Sequence, residues 1–304
     1  MAQKTKGTKI LTICVHYNNL TDVVSYLNNI FHQTNYLGHV VIVVDNSLNI
    51  GNGLSKFREY IRSDRLVVYE PNKNLGYYGA ASFALSRYTQ IHSFPDWVIV
   101  SNTDVVIINR DFFEILIKKH NSCKKAAVVS PHIQSDSSPV EWISYQKERS
   151  SLRNIKIKKF VYNIYPLLIL YDFYTYVRWL FRHKFLSVFY ISKENAKHLK
   201  EKEFIVYAPA GAYTIFKKSY FLAGGTLNLG TFLYGEEVFV AETARRLGVD
   251  IYHDPSLKIV HKGYATTNIF SSPQILKYKK DAMNYIYSDF FSDESKNNKE
   301  GRIA

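Results

Sequence analysis

Cysteine is nearly absent from this chain. Two thiols, Cys14 and Cys123, stand in 304 residues. They are far apart and each sits beside apolar neighbours, which excludes a disulfide framework or a cysteine-built zinc site and reads as buried thiols in a reducing cytoplasm. Long apolar runs are missing as well. The opening Met1-Ala2-Gln3-Lys4-Thr5-Lys6 leads into a short strand-like segment, with no apolar signal core and no small-residue cleavage site. The most aromatic stretch, Phe160 to Phe189, is interrupted by Pro166, Asp172, Arg178 and Arg182, so it lacks the ~20 apolar residues of a spanning helix. No repeat of fixed period and no collagen-like or disordered bias is present. Acids are the scarcer charge: 26 Asp and Glu against 39 Lys and Arg leave a formal +13. That balance points to an anionic partner, whether nucleic acid, a lipid surface or a phosphate-bearing substrate, without choosing among them.

What is there is enough for a large core, since 46% of the residues are hydrophobic. Ile10 to Val15, Val40 to Val44 and Leu66 to Tyr69 read as strands, and Trp97 to Val100 as a short buried one. Helical spacing between them places helices after Thr21-Asp22 (Val24, Leu27, Ile30, Phe31), around 54–61 and over Ala80 to Thr89. Strand and helix in alternation predict an α/β fold with a parallel sheet and right-handed crossovers. A helix near Arg110–His120 and a strand Ala126–Ser130 follow, the latter running into a polar loop with Pro131 and Pro139. From Trp142 to Lys202 basic residues alternate with aromatics, a pattern of one or two amphipathic helices. Beyond it come strands at Phe204–Tyr207 and Tyr213–Phe216, then a helix from Glu236 to Leu247 closed by Gly248. Short strands at Asp250–Tyr252 and Lys258–Val260, a helix opening at Ser271-Ser272-Pro273 and a charged tail from Ser292 complete the chain.

In an open α/β sheet ligands collect at the carboxyl ends of the strands, and several polar residues fall there. Asp104, after the strand from Trp97, reads as a metal ligand or as a loop-capping carboxylate. Asp45-Asn46 reads as a contact for a nucleotide base or ribose, or as an Asx turn. Asn74 to Gly79 is a loose phosphate cradle or a plain turn. Glu236-Glu237 at a helix start differ in face, so one can be held by first-turn amides while the other serves as a general base; they also suit the helix dipole alone. His261 after an apolar strand is a metal ligand or a structural imidazole.

Taken together, Val44-Asp45-Asn46-Ser47, Asn74-Leu75-Gly76-Tyr77-Tyr78-Gly79, Ser101-Asn102-Thr103-Asp104, Ala210-Gly211-Ala212-Tyr213, Phe232 through Val238 and Val260-His261-Lys262-Gly263 form an ordered set of blocks. The set resembles family 2 glycosyltransferases of the GT-A fold, in the branch with bacterial rhamnosyl- and galactofuranosyltransferases, from about Ile10 to Thr267 apart from the aromatic insert. The resemblance implies a mostly parallel, Rossmann-like sheet flanked by helices, with an aromatic and basic helical insert and a C-terminal helix. Residues 1–135 would be the nucleotide-sugar-binding half, 136–203 the insert, 204–270 the acceptor-binding and catalytic half, and 271–304 the terminal helix and tail. It implies that Tyr17 and Asn18 border the base, Asp45 hydrogen-bonds it, and Asn74 and Gly76 lie along the nucleotide and sugar. Asn102-Thr103-Asp104 stands where the family carries Asp-x-Asp, so Asp104 would hold Mg²⁺ or Mn²⁺ with His261 as second ligand. Glu237 would be the base of an inverting transfer, with Glu236 positioning acceptor or base. Three departures stand out: Asn102 replaces the first acid, Glu237 replaces an Asp, and the family's Asn near Ala81 or Ser82 and Asp near Phe239 are missing.

Such an enzyme would move a sugar from dTDP-rhamnose or a UDP-hexose to a lipid-linked (polyprenyl) or growing oligosaccharide acceptor in surface-polysaccharide synthesis. It would work in the cytoplasm, peripherally on the anionic inner membrane through Lys156, Lys158, Lys159, Arg178, Arg182 and Lys184 with their neighbouring Tyr and Trp. The same aromatics would also serve to pack the lobe on the main domain or to form a homodimer. A degenerate, non-catalytic assembly partner is the competing reading. A nucleic-acid-binding module ranks lowest, because no binding motif accompanies the basic stretch and Glu236-Glu237 and His261 would go unexplained.

Overall fold

The computed structural model describes residues 9–33, 38–48, 63–120, 126–135, 145–184, 203–262 and 271–293. The expected helix around 54–61, Cys123 and most of the charged tail lie outside them. The first part of the chain runs β1 (Ile10–His16), α1 (Leu20–Gln33), β2 (His39–Asp45), β3 (Leu66–Tyr69), α2 (Tyr77–Ile91), β4 (Trp97–Ser101), β5 (Val105–Ile107), α3 (Phe112–His120) and β6 (Ala126–Ser135). Next come β7 (Tyr145–Gln146), the helices α4 (Leu152–Asn163) and α5 (Tyr165–Lys184), β8 (Phe204–Val206) and β9 (Ala208–Pro209). The last part is β10 (Tyr213–Lys217), α6 (Lys218–Leu222), α7 (Glu236–Leu247), β11 (Asp250–His261) and α8 (Pro273–Ile286), which continues into a π turn over Tyr287–Phe291.

Among the described residues one large sheet has the order β3-β2-β1-β4-β10-β6-β11-β5, with β8 beside β11. β3, β2, β1 and β4 are parallel, and β11 runs parallel to β6. β10 is antiparallel to both of its neighbours. The period-2 alternation of the strands divides the core in two. Leu11, Ile13, Ile42, Val44, Val98 and Val100 face α2 and α7, whereas Ile10, Cys14, Val41, Val43, Trp97 and Ile99 face α1 and α3. Buried residues of α1 are Val23, Tyr26, Leu27 and Ile30, so the inner stripe starts one residue earlier than the expected Val24.

The elements differ from the sequence reading in several places. α2 begins at Tyr77 rather than Ala80, because Gly76 adopts φ 71 and turns the chain straight into the helix. Val105–Ile107 is a strand the pattern did not reveal, since only three residues pair with β11. β6 runs through Pro131 instead of ending before it. Pro131 is opposite Asp254, where the β6–β11 register shifts, and an irregularity in the ladder is where a residue without an N–H is tolerated. The same shift lets the two expected short strands on either side of Pro255 join as the single long β11.

The insert carries two helices, where one or two were expected; α4 packs on α8 and the π turn, and α5 packs on α4. Lys159 lies over the Tyr287 ring at 3.9 Å, Asn163 and Asn284 exchange side-chain hydrogen bonds, and Asp172 pairs with Lys279. Among the described residues no helix is long and apolar enough to cross a membrane. Arg182 and Lys184 lie in the last turn of α5, where side chains are outside the described residues.

Candidate active site

Two acidic centres gather at the carboxyl end of the sheet. The first is built by strand pairing. The chain leaves β4 through Asn102, whose N–H donates to the Ala212 carbonyl at 2.9 Å, and reaches Asp104 before entering β5. Because β5 pairs with β11 in the register Val105 to His261, His261 arrives beside Asp104, with Nε2 3.1 Å from Oδ1. The Lys262 N–H donates to the Asp104 carbonyl at 2.9 Å and fixes the crossing.

The second centre is the start of α7. Gly235, at φ 88, turns the chain into the helix; Glu236 and Glu237 then occupy its first turn, where unpaired amides and the helix dipole favour carboxylates. The Glu236 carboxylate accepts the Tyr234 N–H at 3.0 Å. Burial, together with the charge of Glu237 beside it, pushes the Glu236 carboxyl up to about 8. Burial also raises Glu237, opposed by N–H groups of its own backbone and of Gly211. Gly211 meets Glu237 so closely that a Cβ there would stand 2.5 Å from Oε1.

Tyr77 links the two centres. Its hydroxyl donates to the Gly211 carbonyl at 3.2 Å. Burial first, then the charges of neighbouring Tyr78, Glu236, Asp104 and Glu237, hold that hydroxyl protonated far above the usual tyrosine range. In the sequence Tyr77 and Gly211 stand out only as parts of the ordered blocks. Neither type signals catalysis by itself, and only the sheet crossing of β4 with β10 brings them together.

The residues expected to face a nucleotide sit at the ends of β1 and β2. Asp45 accepts the Ser47 N–H at 2.8 Å and lies 3.9 Å from His16 Nε2. The His16 imidazole is pushed below its ordinary range by burial, against the opposing pull of Asp45. His16 lies one residue beyond the expected end of the first strand, and only its place opposite Asp45 in the β1–β2 register brings it to the site. Tyr17 is 60% exposed, free to offer a ring face. Asn18 stands in the left-handed region at φ 52, its N–H bonded to Ser47 Oγ at 2.8 Å. Asn46 clamps the next loop, donating to the Gly76 carbonyl at 2.9 Å and accepting the Leu75 N–H. The Asn74 side chain accepts the Gly76 N–H at 2.9 Å. Gly76 has a packing reason of its own, because a Cβ there would fall 1.9 Å from the Phe232 carbonyl oxygen. That carbonyl also accepts the Tyr77 N–H at 3.3 Å, tying the Asn74–Gly76 loop to the loop that precedes Glu236.

The donor set at Asp104 and His261 suits a divalent ion. Adjacent ligands of an octahedral ion with bonds of ~2.1 Å lie about 3 Å apart, close to the separation here; the carboxylate suits Mg²⁺ or Mn²⁺, and the imidazole adds a donor typical of transition metals. Among the described residues no third His, Cys, Asp or Glu joins them, so a substrate diphosphate would have to complete the shell. Asn102, at the position of the absent acid, contributes no charge.

The family model described as "Glycosyl transferase family 2" matches residues 12–189, more than half of the chain. A search of the curated proteins finds no match. Among solved structures, one of GalNAc-T7 with UDP, GalNAc and Mn²⁺ is similar, with TM-score 0.57 at 11% identity, over 96% of this chain and 58% of that one. S. aureus TarS aligns with TM-score 0.51 at 14% identity, over 93% of this chain and 39% of that one. A mycobacterial protein gives TM-score 0.51 at 13% identity, over 93% and 75%. The chain thus spans less than two thirds of the first two proteins, and at these identities the likeness is one of fold: a mixed α/β domain of GT-A type.

Proposed function

The chain belongs to glycosyl transferase family 2, and from that premise we propose that it moves a sugar from a nucleoside-diphosphate sugar to an acceptor hydroxyl with inversion. The observation that carries the reading is the meeting of the Asp104–His261 pair and the Glu236–Glu237 pair across Tyr77 and Gly211 at one end of the sheet. Tyr17, Asn18 and Asp45 border the base, and Asn74 and Gly76 line the nucleotide and sugar. Asp104 and His261 would hold Mg²⁺ or Mn²⁺. When bound, the ion neutralises charge that develops on the leaving diphosphate.

Glu237 is the base. Its raised carboxyl lies nearer to neutrality than an ordinary Glu, which suits proton removal from a sugar hydroxyl. Burial and the charge of Glu237 beside it favour the protonated form of Glu236, which leaves Glu237 as the member of the pair suited to take a proton. As the acceptor oxygen attacks the anomeric carbon, its proton passes to Glu237 and the sugar–phosphate bond breaks, releasing the nucleoside diphosphate. We further infer a dTDP-rhamnose or UDP-hexose donor and a lipid-linked or growing surface polysaccharide acceptor. The enzyme would work peripherally on the cytoplasmic face of an anionic membrane, with 136–203 acting as the acceptor- or membrane-facing insert.

A thermal-shift panel of UDP-, dTDP- and GDP-sugars with and without Mn²⁺ tests the donor, since a ligand that binds the folded state raises its stability by mass action. If none of them stabilises the chain, sugar transfer is the wrong reading. With the donor in hand, Glu237→Gln should lower kcat by roughly 10²–10⁴; unchanged transfer removes Glu237 as base, and absence of any transfer by the parent favours a non-catalytic assembly partner.

A further inference from the structure

The α4–α5 hairpin turns an apolar face to solvent. At 100° per residue, Arg153, Ile157, Phe160 and Ile164 fall within an arc of ~60° on the side of α4 opposite buried Ile155. On α5, Ile169, Leu170 and Tyr174 lie on the side away from buried Leu168, and the two stripes meet at the exposed elbow of Ile164 and Tyr165. Phe160 and Leu170 are each 62% exposed. The inner sides of both helices are already occupied by α8 and the π turn, through Lys159, Asn163 and Asp172.

We propose that this face is a membrane-docking surface on which the protein lies flat against an anionic bilayer. Charge selects the occupant. From 152 to 184 the chain carries seven Lys and Arg and a single acid, Asp172, and that acid is paired inward with Lys279. Aliphatic side chains beside snorkelling cations suit the boundary between headgroups and acyl chains. A second copy of the chain would bring the same positive charge against this face, which disfavours a symmetric dimer. Nucleic acid could stack only on the rings of this face and would leave Ile157, Ile164, Ile169 and Leu170 without apolar partners.

Docking here also orients the active site. Asp172 holds Lys279, whose Nζ lies 5.8 Å from the centre of the Tyr234 ring, and the Tyr234 N–H binds Glu236. These contacts place the glutamate pair near the docking hairpin, so a lipid-linked hydroxyl would be presented on its side. This last step rests on the sugar-transfer reading; the docking itself does not.

Co-sedimentation of the full chain with vesicles of phosphatidylcholine alone or mixed with phosphatidylglycerol tests the proposal. The expected result is binding to the anionic vesicles, weakened by salt, and a partition coefficient that falls at least about tenfold in the Phe160→Ser, Leu170→Ser double variant. Leu222→Ser, at a 76% exposed position on α6, should bind like the parent. Absence of binding to anionic vesicles overturns the proposal, as does equal binding by the double variant. A parent dimer that the double substitution dissociates would assign the face to self-association instead. Melting temperature and nucleotide-sugar stabilisation, measured on the same samples, separate the two readings: if they fail in the parent while vesicle binding stands, sugar transfer falls and docking survives.

Discussion

Gly211→Ala perturbs the candidate base without touching it covalently. The new Cβ would stand 2.5 Å from Glu237 Oε1 and 3.0 Å from its Cδ. An unstrained contact needs ~3.5 Å, so the carboxylate must retreat by about 1 Å. The atom that moves is the free end of a flexible side chain and Gly211 has no positive φ, so the fold should lose less than about 1.5 kcal/mol. Catalysis should suffer far more, because a displacement of ~1 Å in a positioned group costs on the order of 10²-fold in rate, about 2.7 kcal/mol of barrier. Steady-state transfer assays should show kcat down by roughly two orders of magnitude, donor KM little changed, and a near-parental urea midpoint. A kcat within a few-fold of the parent would refute the reasoning, since it would mean that the Glu237 position set by Gly211 is not the one chemistry uses.

Three further outcomes follow from the geometry. Glu236 is raised from 4.5 to about 8 in the folded state, so its contribution to stability is whole below pH 4.5 and is lost as pH climbs toward 8. Glu236→Gln should flatten that decline, worth up to about 5 kcal/mol, in urea melts across pH 5–8; an unchanged slope would show that another group is responsible. Asp104→Asn should abolish the extra stabilisation that Mn²⁺ adds to nucleotide-sugar binding, an increment of about 2.7 kcal/mol at a ligand excess of ~100 Kd, while metal-free binding persists. If the Mn²⁺ increment survives, the ion sits elsewhere. Away from the site, Glu242 is wholly buried; burial raises its carboxyl, but hydrogen bonds from Arg149, Tyr207 and Arg245 outweigh this and hold it low. Arg149→Ala leaves that charge short of a partner and should cost about 3 kcal/mol of stability, read as a lower thermal midpoint with kcat per folded molecule unchanged.

Much of the architecture is legible in the residues because the parallel strands are short apolar runs and their crossover helices repeat at 3.6 residues. β1, β2, β3 and β4 and the helix closed by Gly248 follow from such local patterns. β5 and the continuation of β6 through Pro131 do not, since their pairing depends on β11, more than 100 residues away in sequence. The same division runs through the candidate site. Asp45, Asp104, Glu236, Glu237 and His261 are visible as polar residues at the ends of apolar segments, and their ordered blocks carry the family resemblance. That Asp104 and His261 stand 3.1 Å apart depends on the antiparallel register of β5 with β11. That Glu237 is seated by Gly211, and joined through Tyr77 to the other centre, depends on β10 entering the sheet between β4 and β6. Composition and periodicity act over a few residues and determine which segments are buried and which end in polar groups. Only the tertiary structure decides which of those ends share a charge, a proton or an ion, because such sharing is set by distances across the sheet.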